Sequence, residues 1–193
     1  ELQRLFQESS SLYADESIIH DTSLQDIDQD LFALFYEKQF GEQLNENEPE
    51  KLLKNRGLLK DNALTLAVLL LFGRKPQRQC PAFIVKGVSF FGTDRAGTQY
   101  RDSEDITGNI ATIYKNSIAF IMRNIKKIQV SPSFNSVGEP EIPQVVFEEL
   151  LVNALIHRDY FISAPIMIFI FDDRIEITNP GKLPNNLTVE KIK

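Results

Sequence analysis

From Pro143 to Tyr160 the chain reads Pro-Gln-Val-Val-Phe-Glu-Glu-Leu-Leu-Val-Asn-Ala-Leu-Ile-His-Arg-Asp-Tyr, and no other stretch constrains the fold as strongly. Pro143 suits the first position of a helix, and the residues after it predict one running to about Arg158. Val145, Val146, Phe147, Leu150, Leu151, Val152, Ala154, Leu155 and Ile156 make that helix apolar nearly all round. Such a helix is expected to be buried on most sides. Glu149, Asn153 and His157 interrupt it at i, i+4 and i+8, forming one polar stripe. Burying an unpaired carboxylate is costly, so the stripe faces water, a partner or a cavity. Two readings stand side by side. The stripe is the helix's one solvated edge, or it lines a polar pocket where Asn153 ligates a hard cation and Glu149 orients water.

The rest of the chain gives such a helix something to pack against. Its 193 residues are 42% hydrophobic and 25% charged, a globular composition with enough length for one sizeable core or two small ones. A single cysteine, Cys80, excludes a disulfide framework. With only His20 and His157 beside it, a structural zinc site is not expected. The longest apolar runs, Leu66–Phe72 and Ala164–Phe171, fall well short of the roughly 18 residues of a bilayer span. No membrane partner is expected, and the chain reads as a piece of a cytoplasmic protein.

Charge is unevenly placed. The first 50 residues hold 13 acids against two bases, and the remainder holds 14 acids against 19 bases, for a net of −6. Arg74, Lys75, Arg78, Lys86, Arg123, Lys126 and Lys127 are candidates for a phosphate- or nucleic-acid-facing surface. The plainer reading is an acidic lead-in beside a mildly basic domain.

Along the chain, Glu1–Glu8 reads as the end of a helix, and Ser9–Thr22 as a linker rich in Ser and Asp. Ser23 with Asp26 forms a capping-box start for a helix carrying Leu24, Ile27, Leu31, Leu34 and Phe35, with Gly41 as its stop. Glu42–Glu48 reads as a second linker, and Pro49 opens a short helix ending near Gly57. Asp61-Asn62 marks a turn. Leu66–Phe72, with Thr65 as a cap, is a buried strand or a short buried helix, the following Gly73 and Pro76 favouring the helix. Ala82–Phe91 is strand-like. Ile106, Ile110, Ile113, Phe120, Ile121, Ile125 and Ile128 predict an amphipathic helix with Lys126 and Lys127 near its negative end. Ser131–Ile142 is a looser stretch. Ile166–Phe171 and Arg174–Thr178, joined by Asp172-Asp173, predict a β-hairpin packed on helices. Ile175-Glu-Ile-Thr-Asn-Pro-Gly-Lys-Leu-Pro184 continues the second strand into a turn where Gly181 permits positive φ or close approach to a ligand.

Taken together, Glu149-x-x-x-Asn153-Ala154, a strand pair, and Asn179-Pro-Gly181 resemble the GHKL (Bergerat-fold) ATPases. More narrowly, Val152 to Tyr160, Phe171 to Pro184, and Leu69-Leu-Leu-Phe-Gly-Arg-Lys-Pro76 resemble the family labelled RecG-related or transcriptional regulator. Its members place a Schlafen (AlbA)-like domain before a divergent ATPase-like region. The resemblance implies an α+β chain: residues 1–22 as the tail of an upstream Schlafen-like domain with a linker, 23–62 as a helical segment, and 63–193 as a two-layer α/β domain. That domain would resemble an incomplete GHKL fold from about residue 129 onward.

By position the resemblance implies Glu149 as the general base, Asn153 as the magnesium ligand at the triphosphate, and Asn179 with Gly181 at the adenine-reading turn. The family's aspartate is replaced there by Asn179, whose side-chain carbonyl can still accept a hydrogen bond from an adenine amino group. His157 and Arg158 belong to the narrower family's pattern, either near the phosphates or, for His157, in a structural role. ATP and magnesium are the implied cofactors, and DNA is an implied partner through other domains of the parent. Slow hydrolysis of the GHKL type is the implied activity. No G-x-x-x-x-G-K-[ST] motif occurs, so a P-loop helicase motor is not expected. The rival expectation is a non-enzymatic interaction or homodimerisation module that keeps the ATPase-like shape, with Glu149 pairing across an interface.

Overall fold

A computed structural model describes residues 13–44, 48–96, 99–129 and 138–181. The expected helix end at Glu1–Glu8 lies outside them. The chain is α+β and divides into two compact units, Glu1–Pro81 with Thr107–Thr112, and Ala82–Ile106 with Ile113–Lys193. Residues 63–81 therefore group with the first unit, not with the following domain as the sequence reading had them. Among the described residues no helix is long and apolar enough to cross a membrane.

The first unit contains β1 (Ile18–Ile19), α1 (Gln29–Phe40), α2 (Glu48–Asn55), β2 (Leu59–Lys60), β3 (Ala63–Thr65) and α3 (Leu66–Phe72). Its antiparallel sheet has the order β1-β3-β2. Asp61 and Asn62 both take positive φ, 49° and 64°, as a two-residue hairpin turn requires. Ile27, Phe32, Leu53, Leu59, Leu64, Val68, Leu69 and Phe72 form the core. Leu66–Phe72 is a helix, resolving the open choice. Ser9–Thr22 is not simply a linker: Ile18 and Ile19 pair with Thr65 and Leu64.

The capping box exists, with the Asp26 carboxylate accepting from the Ser23 amide at 2.7 Å. It closes a separate 3-10 turn, Leu24–Asp26, instead of starting the long helix. Ile27 is extended, fully buried and bridged to Gly73, while the Asp28 amide donates to the Phe72 carbonyl at 2.7 Å. That tertiary pairing breaks the helix. It restarts with Asp28 as N-cap, accepting from the Leu31 amide at 3.1 Å, and stops as expected at Gly41, with φ 73°.

The second unit contains β4 (Val85–Phe90), β5 (Tyr100–Ile106), all but the first three residues of α4 (Ile110–Asn124), β6 (Lys127–Ile128), β7 (Glu139–Pro140), α5 (Gln144–His157), β8 (Ile166–Ile170) and β9 (Ile175–Thr178). The main sheet has the order β5-β4-β8-β9, parallel only between β4 and β8. Register sets Val85, Gly87 and Ser89 beside Ile166, Ile168 and Ile170, all buried on one face. Helix α4 covers that face so closely that a Cβ on Gly87 would lie 2.6 Å from the Phe120 ring. On the other face Phe90, Phe169 and Phe171 cluster under Arg95 and Arg174, which stand 4.2 and 4.0 Å from the rings of Phe169 and Phe171. Glu176 binds both arginines.

The expected helix from Ile106 is shorter than its periodicity suggests. Ile106 ends β5, and Lys126 and Lys127 lie past the helix, Lys127 pairing with Pro140 in a short ladder. The 166–178 hairpin and the helix after Pro143 stand where the sequence puts them.

Candidate functional site

Helix α5 departs from its expected environment. It buries Phe147, Leu151, Ala154 and Leu155 along one side only. Val145 and Ile156 are 62% and 64% exposed, and Val146, Leu150 and Val152 are exposed as well. An apolar sequence states a preference for burial, but among the described residues only one side of α5 is covered. Glu149, Asn153 and His157 lie on the outward side, all exposed. The helical rise spaces each from the next by about 6 Å.

Past the helix, Arg158, Asp159 and Tyr160 each bond to nearby backbone. Arg158, only 6% exposed, donates through Nη2 to the carbonyls of Ala164 at 2.8 Å and Ile162 at 3.3 Å. Its guanidinium stands 4.5 Å from the Phe83 ring centroid and 5.0 Å from that of Tyr160. Burial holds its pKa below the usual arginine value, against the opposing pull of Tyr160 and Asp159. Asp159 Oδ1 accepts from the Phe161 amide at 2.9 Å, a local turn closure typical of aspartate. Tyr160 donates its hydroxyl to the Leu155 carbonyl at 2.7 Å, and burial pushes its phenol up.

The Asn179–Gly181 turn meets this segment. The Asp159 amide donates to the Pro180 carbonyl at 2.9 Å. Gly181 has φ 132°, and a Cβ there would lie 3.1 Å from that of Asp159. Asn179 Oδ1 is buried with no hydrogen-bond partner among the described residues. Arg158, Asn179 and Gly181 are thus gathered at the end of α5, while Glu149 and Asn153 stand one to two turns back along it. Asp159 and Tyr160 carried no assigned role in the sequence reading. Their signal was an aspartate directly after a helix end and a tyrosine five residues past a helical carbonyl.

The side chains here offer two oxygen-bearing groups on one helix side and one buried acceptor. Asn153 and Glu149 share an exposed helix side, and among the described residues no three His, Cys, Asp or Glu side chains cluster to hold a metal by themselves. Magnesium ordinarily takes one or two protein oxygens together with substrate phosphates, which matches that set. The buried acceptor on Asn179 suits a donor such as a base amino group. Of the basic candidates, Lys86 pairs with Asp105, and Arg123 with Asp102 and Glu104.

Two family models match the chain. One, described as "Putative ATP-dependent DNA helicase recG C-terminal", covers residues 163–193. The other, described as "Domain of unknown function (DUF8451)", covers residues 3–86. No curated protein matches. A solved structure, the DIP2311 protein from Corynebacterium diphtheriae, is similar at a TM-score of 0.62 and 23% identity, over 96% of this chain and 37% of that one. That likeness concerns the fold, and the chain spans little more than a third of that protein's length. Residues 163–193, which include β8, β9 and the Asn179–Gly181 turn, are similar to a RecG-related, ATPase-like region.

Proposed function

We propose that the second unit carries part of a divergent nucleotide site of the GHKL type, binding ATP with magnesium and hydrolysing it slowly. The observation that carries this reading is Asn179 Oδ1, a buried acceptor with no partner among the described residues, on a turn tied to the end of α5. An orphaned buried acceptor destabilises the free protein, and a ligand donor relieves that cost. In this reading Asn179 reads the base amino group, and Gly181 lets backbone approach it. Asn153 holds the ion through its side-chain oxygen. Glu149, one turn earlier on the same side, positions water and accepts its proton. His157 extends that side toward the phosphates. Magnesium, when bound, neutralises charge on the triphosphate. In the parent protein this site makes a nucleotide-responsive regulator whose DNA contacts lie in other domains.

Calorimetric titration with magnesium and a non-hydrolysable ATP analogue tests it. Micromolar binding by the wild-type chain, abolished in Asn153→Ala and in Asn179→Leu, is the expected result. A flat trace from folded wild-type protein overturns the reading.

A second reading has its own observation. The exposure of Val145 and Ile156, at 62% and 64%, favours an interaction module in which α5 packs against a second copy of the chain. A sedimentation mass that doubles with concentration and ignores nucleotide would support it over the first.

A further inference from the structure

Arg158, Asp159 and Tyr160 each fix a different piece of backbone. Tyr160 fastens the last turn of α5 through the Leu155 carbonyl, and Arg158 gathers the carbonyls of Ile162 and Ala164 that lead into β8. Asp159 holds the turn after β9 by its amide. Arg158 is 6% exposed and lies against Phe83 and Tyr160; its Nη2 is committed to main-chain carbonyls, while its Nε is buried without a partner among the described residues. Among the described residues no carboxylate pairs with it. A lysine does not reproduce this arrangement, because it replaces the planar, weakly hydrated guanidinium over the two rings with a compact, strongly hydrated ammonium. Gly181 completes the joint, since any larger residue would press on Asp159 at a backbone angle only glycine takes readily.

We propose that Arg158 is a positioning residue: its buried guanidinium shapes the 159–165 turn so that Asp159 holds the Asn179–Gly181 turn against the end of α5, setting where Asn179 meets a nucleotide base. This rests on the nucleotide reading above. It separates two halves of that site. The base-reading half depends on Arg158, whereas Asn153, on the regular helix about one turn back, meets the phosphates and their ion without it.

The test uses the full chain as wild type and as Arg158→Lys, titrated with two probes: magnesium with adenylyl imidodiphosphate, and magnesium with tripolyphosphate. Hydrogen exchange at the Asp159 amide is followed in the same proteins. In Arg158→Lys, with the sheet amides still protected, analogue affinity falls about tenfold, the scale of one lost hydrogen bond. Tripolyphosphate affinity stays within about twofold, and the Asp159 amide exchanges faster. Unchanged analogue affinity in the variant overturns the proposal, as does an equal loss for both probes, which marks general damage. A wild-type chain that binds neither probe is a failure of the nucleotide reading itself and takes the proposal with it. Should Arg158→Lys not fold, Tyr160→Phe carries the same comparison, with an expected loss of about threefold confined to the base-bearing probe.

Discussion

A methyl group added at Gly87 would stand 2.6 Å from the Phe120 ring, so this position joins sheet to helix through the absence of a side chain. Gly87→Ala is expected to cost about 1–3 kcal/mol, read as a lower urea midpoint with unchanged slope. Tyr160 gives a pH signature at the same scale. Burial raises its phenol pKa in the folded state, so its contribution is intact below the ordinary tyrosine value and is lost as pH rises through the raised one. Melting temperature is therefore expected to fall above pH about 10, and Tyr160→Phe should flatten that limb. Residue identity alone announced Glu149 and Asn153 as a pair on one side of a helix. It did not announce Arg158 as an interior group, because an arginine's sequence neighbours do not reveal which carbonyls and rings will surround it.

Elements were legible where local rules and packing agree. Gly41 ends α1 with the left-handed conformation its lack of a Cβ allows, and the 166–178 hairpin follows from its apolar strands. The start of α1 was misread because a genuine capping box sits one turn too early and Ile27 is drawn into a bridge with Gly73. Substitution can weigh the two caps. Asp28→Ala should lower stability by about 1 kcal/mol, and Ser23→Ala by less, since it guards only a 3-10 turn. Equal losses in thermal unfolding would return the start of the helix to Ser23. Strand β5 escaped the sequence reading for a different reason. Tyr100-Arg-Asp-Ser-Glu-Asp-Ile106 buries only Ile106 and pairs on one side, so it has the polar sequence of an edge strand without an apolar alternation. Its stability comes from the ladder with β4 and from Arg123, which reaches Asp102 and Glu104.

At the scale of the whole molecule, arginine–carboxylate contacts link distant stretches of the second unit. Arg123, with Asn124, holds the Asp102 carboxyl below the usual aspartate range, Arg101 does so for Asp172, and Arg174 with Arg95 for Glu176. Depressed folded values mean stability that is present above the ordinary carboxylate range and lost as pH falls through the depressed values. The melting temperature is expected to drop below pH about 4, less so in Asp102→Asn. Because these pairs are largely exposed, about 1 M salt should reduce the effect. A pH profile unmoved by salt or by Asp102→Asn would assign acid sensitivity to other groups. The helix after Pro143, the hairpin after it and the Glu149/Asn153/His157 stripe follow from period, turn chemistry and spacing within a short window, while the α+β class and the Asn179–Gly181 turn as a site were what the family resemblance implied. Only the tertiary structure decided which side of α5 is covered, that Arg158 is an interior pin, and that Asn179 lies tethered to the end of that helix. Those outcomes depend on packing across the fold and on pairs far apart in the chain, such as Arg158 with Phe83 and Asp159 with Pro180, which no local pattern encodes.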